Sequence, residues 1–261
     1  MEIVILSRRK KETKKVKNMK NLIKKLTLLM CVLSQLTYGQ LWNKNEIKGN
    51  NNYITQDIKT NDYYKINVSG SVDVEFVDGT EGELQLKIEE NLVEYIEITT
   101  KNGALSIKIK NNTYLNNNKN IVVVVPVEAI SEINLTGSSN ISSNTTITSD
   151  KLSINVAGSG DMTLTINAKV LNTKVAGSGS LKLNGNASDC DFNVMGSGEF
   201  NGEKLSCDNV SARVAGSGDC RFICSNTLKA YVVGSGSIQY YGNPDVLESK
   251  TLGRGSVEKL R

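Results

Sequence analysis

From Leu152 onward, apolar residues recur at every second position in short runs, and each run closes on a glycine-rich triplet. Gly-Ser-Gly stands at 158–160, 177–179, 196–198, 216–218 and 234–236, with Gly253-Arg254-Gly255 as a sixth copy, so the steps are 19, 19, 20, 18 and 19 residues. A degenerate copy, Gly137-Ser138-Ser139-Asn140, precedes them. Aligned on the first glycine, the position two before it reads Val156, Val175, Val194, Val214 and Val232. Four before it stand Ile154, Thr173, Phe192, Ala212, Ala230 and Ser249, and six before it Leu152, Leu171, Cys190, Val210, Leu228 and Leu247. Strand side chains alternate faces residue by residue, so these columns share one face, which is expected to point inward. The intervening positions, such as Asn155, Lys174, Asn193 and Arg213, are polar and face water. After the triplet the alternation resumes, with Met162, Leu181, Phe200, Cys220, Ile238 and Val257 inward and Thr163, Lys182, Asn201, Arg221 and Gln239 outward.

Each repeat thus reads as strand, tight turn, strand and second corner. One such unit cannot bury its apolar face alone, whereas units stacked at about 4.8 Å build a continuous core. The fold expected is all-β: a right-handed parallel β-helix of 53–261, with regular repeats over 137–261. Glycine suits the corner because a reversal repeated in register needs backbone angles and space that a Cβ opposes. Ser159, Ser178, Ser197, Ser217 and Ser235 then line one edge as a row of hydroxyls. A phosphate-binding glycine loop occurs once and leads into a helix, and no helical period follows any of these copies.

Upstream, the same alternation runs without the marker: Tyr64, Ile66 and Val68; Val72, Val74 and Phe76; Leu84, Leu86 and Ile88; Ile96 and Ile98; Leu105, Ile107 and Ile109. Asp78-Gly79 and Asn102-Gly103 supply turns. Ile121 to Val125 is an unbroken apolar run ending at Pro126, expected to be a central strand covered on both faces. Asn111 to Asn120 reads as an exposed loop, and no linker separates this half from the repeats.

Composition narrows the chemistry. The 261 residues contain no histidine, which removes histidine triads, histidine general bases and His-ligated metal sites. The formal charge of +4 belongs to the leader: residues 1–39 hold 10 of the 31 basic residues and, as acids, only Glu2 and Glu12 of 27, leaving 21 basic and 25 acidic residues from Gln40 on. No nucleic-acid partner is therefore expected. Met19 is the better start, since Lys20, Lys24 and Lys25 precede the apolar stretch Leu26 to Leu36, and Thr37 and Gly39 place signal-peptide cleavage before Gln40. That stretch is too short to span a bilayer, and Cys31 lacks the small residues that precede a lipidated cysteine. Residues 40–52 are expected to be a flexible segment. The chain is expected to be exported, periplasmic or at the cell surface, without an integral membrane anchor.

Four cysteines remain after cleavage, where disulfides can form. One disulfide among Cys190, Cys207 and Cys224 is expected, with Cys220 a small buried hydrophobe. Their spacing is not that of a zinc ribbon.

The "VAGSG" strings at 156–160, 175–179 and 214–218, with "VVVVP" at 122–126 before "INLTGSSNI", resemble the head GIN domain family of auto-transporter adhesins from Bacteroidetes-like bacteria. The resemblance covers about residues 50 to 261. It implies a pectin-lyase-like β-helix with Gly-Ser-Gly turns and a role in adhesion, and it carries over no catalytic residue. No translocator barrel or heptad stalk accompanies it here.

Asp161, Glu199 and Asp219 follow their triplets but are replaced by serine in other copies, so they read as solvated turn residues rather than Ca²⁺ ligands. Lys174, Lys182, Arg213 and Arg221 point outward in columns of mixed composition. No cofactor or metal is expected. Ile223, Tyr231 and Tyr241 occupy outward columns near the C-terminal end, as a sugar-stacking platform or subunit contact, against the alternative of a cap over the last coil. The function expected is a non-enzymatic adhesin-like module binding a polysaccharide or protein surface. A lyase or hydrolase on the same scaffold, and an envelope protein that forms homo-oligomers, are the alternatives.

Overall fold

The computed structural model describes residues 45–111 and 113–261. The leader, its cleavage site, Cys31 and residues 40–44 lie outside the described residues. Strand makes up 74% and helix 3%, in a parallel β-solenoid of about seven turns about 19 residues apart. Asn45 to Arg261 forms one compact unit, so the upstream half and the repeats share a core.

The repeat half follows the columns. Val156, Val175, Val194, Val214 and Val232 pair in parallel register across successive coils, and each is at most 1% exposed. The strands Asn140–Gly158, Asp161–Gly177, Ser180–Gly196, Glu199–Gly216 and Asp219–Gly234 each run through a second corner. In three of these coils the inward alternation there slips by one residue, leaving two consecutive positions outside the core: Lys169 and Val170, Ser188 and Asp189, Asp208 and Asn209; in Asp219–Gly234 three positions, Ser225, Asn226 and Thr227, lie outside and the parity is kept. A slip of one residue exchanges the faces of a strand, and bending the chain at that point keeps apolar side chains inside on both sides of the corner. Phe192 stacks on Phe200 with ring centroids 4.2 Å apart and lies 5.4 Å from Phe222, so rings from either side of the turn fill one interior.

The triplet sets how closely coils approach. A Cβ on Gly177 would lie 2.4 Å from the carbonyl oxygen of Gly158, and Gly177 also has φ of 121°. On Gly179 a Cβ would lie 2.3 Å from the Gly160 carbonyl oxygen. The first glycine is thus required by backbone angle and by space, the third by space alone. The Gly158 carbonyl accepts from both Ser178 N–H at 2.9 Å and Gly179 N–H at 3.0 Å, which locks one turn onto the previous one.

The upstream half is less uniform than a plain parallel helix. Lys65–Gly70 and Asp73–Val77 join the parallel stack, but Tyr53–Lys59 runs antiparallel to Glu83–Glu89, which runs antiparallel to Val122–Pro126. Ile96–Lys101 and Ala104–Ile109 form a hairpin turned by Asn102 and Gly103, both with positive φ (52° and 71°), the signature of a tight two-residue turn. A 3-10 segment, Glu90–Tyr95, buries Leu92 against this end.

Several expectations change here. Tyr64 is 49% exposed rather than inward, and Tyr63 is buried in its place, because the regular strand begins only at Lys65. Tyr63 donates its hydroxyl proton to the Pro126 carbonyl, while Tyr64 lies against Gly103. Val122–Pro126 is paired on both edges, yet of its valines only Val123 and Val125 are buried, because Val122 and Val124 face a half-open side. Within the loop expected at Asn111 to Asn120, Thr113–Asn116 forms a strand parallel to Asn45–Lys48, so part of the segment expected to be flexible is also tied down. Leu247 and Ser249 occupy inward columns but are exposed, since among the described residues no coil is laid over Val246–Gly253.

Candidate functional site

The feature with the most exposed, ordered chemistry is the outer face of the sheet that precedes the triplets. Eight strand segments line it in unbroken register, from Lys65–Gly70 through Glu132–Gly137 and the five long strands to Val246–Gly253. Seven spacings of about 4.8 Å make it about 34 Å long. Strand parity divides it into three outward columns, five, three and one residues before the first glycine.

The middle column begins as an asparagine ladder. Asn155 donates its amide to Asn134 at 2.8 Å, and Asn134 donates to Asn67 at 2.8 Å. Towards the C-terminal end the column changes to Lys174, Asn193, Arg213, Tyr231 and Lys250. The guanidinium of Arg213 reaches Asp191 at 3.3 Å and lies 5.9 Å from the Tyr231 ring centroid, and the Tyr231 hydroxyl donates to Glu248 at 2.6 Å. That hydrogen bond, then partial burial, pushes the Tyr231 phenol above its ordinary range. At the other end Lys65 pairs with Glu132 at 2.7 Å. The Asn134 amide and then the Lys65 ammonium hold the Glu132 carboxyl below the usual range.

The column next to the glycine reads Ala157, Ala176, Met195, Ala215, Val233 and Leu252, and Met195, Val233 and Leu252 are 38%, 52% and 56% exposed. Its outward parity is visible in the repeat, although its apolar residues carry no local sign that they are exposed. Beside it runs the row of exposed serines at 159, 178, 197, 217 and 235. Along the opposite margin an open groove of about 270 Å³ follows the second corner, lined by Asn172, Asp189, Asp191, Asn209, Ser211 and Lys229 among others.

The three residues expected to form a platform do not all meet. Ile223 and Tyr241 are direct partners on adjacent strands after the triplet, both half-buried. Tyr231 lies past the second corner, on the face just described, where it pairs with Arg213 and Lys250. The acids after the triplets are engaged locally: Asp161 accepts from the Ser180 N–H at 3.2 Å, Asp219 from the Ser237 hydroxyl at 2.6 Å, and Glu199 lies 3.5 Å from Arg221. Arg221 also donates to Gln239 at 2.6 Å.

All four described cysteines are free thiols, so the expected disulfide is not formed in this structure. Cys190 and Cys207 nonetheless touch inside the second corner, with Sγ atoms 3.0 Å apart. Cys224 donates to the Thr227 carbonyl at 3.2 Å, and Cys220 is fully buried, its thiol pushed up by desolvation.

Fold and face together define the class: a parallel β-solenoid whose outer face presents long exposed columns of side chains. The profile of the family described as "Putative auto-transporter adhesin, head GIN domain" matches residues 62–244, and the chain belongs to that family. A crystal structure from Parabacteroides distasonis, described as a "putative lipid binding protein", is similar at 28% identity, with a TM-score of 0.68 over 83% of this chain and 100% of that one. A second structure from that organism, described as a "putative adhesin", shares 25% identity at a TM-score of 0.69 over 83% of this chain and 100% of its own. A "putative adhesin" from Bacteroides fragilis shares the fold at 23% identity, with a TM-score of 0.75 over 82% of this chain and 100% of its own. No curated protein matches. Among the described residues no helix is long and apolar enough to cross a membrane.

Proposed function

We infer that this is an exported, non-enzymatic adhesin-like module that binds a polysaccharide or protein surface at the periplasmic or outer side of the cell envelope. The observation that carries the reading is the eight-strand outer face before the triplets, in which an asparagine ladder, one Arg-Tyr-Glu group and a strip of exposed aliphatic residues are set out in register at strand spacing. A repeating face matches a ligand that is itself extended, because contacts of modest strength add along its length. Tyr231 and Arg213 are the contact residues on this face, and Ile223 with Tyr241 forms a smaller apolar patch on the other sheet.

The carboxylates beside this face already have partners within the chain. Asp189 and Asp191 are engaged by Asn209 and Arg213.

The test is an array of immobilised polysaccharides and envelope proteins, with anionic and neutral lipid vesicles as a further arm prompted by the lipid-binding neighbour and the Val233–Leu252 strip. Retention by a polysaccharide or protein, reduced by Arg213→Glu with Tyr231→Ala, supports the reading. Reproducible product release from a polysaccharide, abolished by Asp191→Asn, would overturn its non-enzymatic part. Protease shaving of intact cells then separates surface display from periplasmic residence.

A further inference from the structure

We propose that Val246–Gly253 is the interface of a two-fold homodimer, in which this strand pairs antiparallel with its copy about Ser249. The strand is hydrogen-bonded to Asp219–Gly234 along one edge, while its other edge is unpaired among the described residues. All eight of its positions are exposed, including Val246, Leu247 and Leu252 at 54%, 50% and 56%. A flat edge carrying aliphatic side chains and free backbone groups is a template for a further strand.

Its occupant follows from the sequence of the edge. Around Ser249 the residues are chemically palindromic: Val246 mirrors Leu252, Leu247 mirrors Thr251, and Glu248 mirrors Lys250. In an antiparallel pair centred on Ser249 each residue faces its mirror in the copy, so Glu248 of each chain meets Lys250 of the other, twice by symmetry. Even-numbered residues lie on the outer face, where the ion pairs sit beside the Val246–Leu252 contacts. Odd-numbered residues lie inward and join the two cores. The Tyr231 hydroxyl already orients the Glu248 carboxylate at 2.6 Å.

Head-to-tail stacking is disfavoured because the other end of the stack is built differently. There the Ile96–Lys101 strand runs antiparallel to its neighbour, and the Glu90–Tyr95 turn buries Leu92. A surface complementary to itself closes as a symmetric dimer rather than a filament. The two-fold axis then stands perpendicular to the sheet, and the outer faces of both copies continue as one surface on the same side. That consequence rests on the proposed contact face, whereas the dimer does not.

Sedimentation equilibrium of the full chain tests the pairing. The wild type is expected to show a monomer–dimer equilibrium at micromolar concentration. Glu248→Lys and Lys250→Glu each turn two attractive pairs into two repulsive ones and should weaken association on the order of thirtyfold. The double variant Glu248→Lys with Lys250→Glu restores opposite charges and should return to within about threefold of the wild type. A wild type monomeric at all concentrations would overturn the proposal, as would a dimer indifferent to single reversal or a folded double variant that stays monomeric. Ser249→Cys supplies an independent reading: under mild oxidation it should form an intermolecular cross-link that Lys229→Cys does not form, and equal cross-linking of both would place the interface elsewhere. Loss of ligand binding with an intact dimer counts against the contact face alone.

Discussion

The halves of this solenoid reach the same architecture by different means. From Asn140 to Gly234 each coil is held by contacts that recur in its neighbours: a valine two before the triplet and glycine carbonyls stacked under glycines, with Phe192, Phe200 and Phe222 sharing the interior between them. From Asn45 to Gly137 the recurring stack is limited to Lys65–Gly70 and Glu132–Gly137, and the rest is held by contacts that occur once. Glu89 is the clearest of them, buried and accepting from Asn51 N–H at 2.7 Å and from the Asn118 backbone and side-chain amides at 3.0 Å each. A repeated contact spreads its energy along the stack, whereas a singular contact concentrates it at one place.

That difference fixes how each half should fail. The largest effect is expected in the shared interior, where Phe192→Ala removes a ring packed against Phe200 and Phe222 and should cost about 3–5 kcal/mol in urea unfolding. A cost under about 1 kcal/mol would mean that the interior of the repeat half is loosely packed.

The Cys190–Cys207 contact comes next. Refolding in a glutathione redox buffer, with oxidised glutathione accepting the two electrons, should join the two sulfurs and close a loop spanning 17 positions, stabilising the fold by about 3 kcal/mol. The hydrogen bond with Cys190, and then burial, hold the Cys207 thiol protonated in the folded chain, so already folded protein should oxidise far more slowly. Peptide mapping should assign this pair and leave Cys220 and Cys224 free. A Cys207–Cys224 bridge would refute the assignment.

Gly177→Ala should cost about 2–3 kcal/mol, from its positive φ and its approach to the Gly158 carbonyl. Hydrogen exchange should show the loosening in the coils on either side. Confinement to one coil would break the proposed contrast. Glu89→Gln should cost about 1–2 kcal/mol and free only the Asn51 and Asn118 segments.

Glu89 also gives that region a pH dependence. Its carboxyl is held below the ordinary range, first by the Asn118 side-chain hydrogen bond, so its contribution is present above the unfolded-state pKa and lost as pH falls through the lower folded value. Acid titration should therefore release the Asn51 and Asn118 segments in the wild type but change them little in Glu89→Gln. At the small end, Lys169→Ala should leave stability unchanged within error, since its pair with Asp150 is 78% and 86% exposed.

The contrast also explains what could be read in advance. The repeat half was legible because the stacking constraint acts on single positions: a Cβ at Gly177 or Gly179 collides with the coil before it, so the triplet cannot drift without showing. The burial of Val175 and Phe192 followed from parity. The upstream half hid its antiparallel strands, because alternation in Leu84, Leu86 and Ile88 carries no direction. Nothing local told Tyr63 from Tyr64, or showed that Thr113–Asn116 would pair with a segment some 68 residues earlier. Of the candidate site, Tyr231 stands on an outward column, but its separation from Ile223 and Tyr241 depends on the corner at Ser225, Asn226 and Thr227, which turns the chain onto another sheet without changing its parity. The exposed Val233 and Leu252 column is present in the repeat, but hydrophobicity alone does not tell a core column from an exposed one.

Native-state hydrogen exchange at the valines two before each triplet tests the stacked ladder most directly. The account predicts that the amides of Val156, Val175, Val194, Val214 and Val232 exchange slowly and together, through a shared opening of the stack. Free exchange at any of these amides between Val175 and Val214, with the rest of the protein folded, would contradict it.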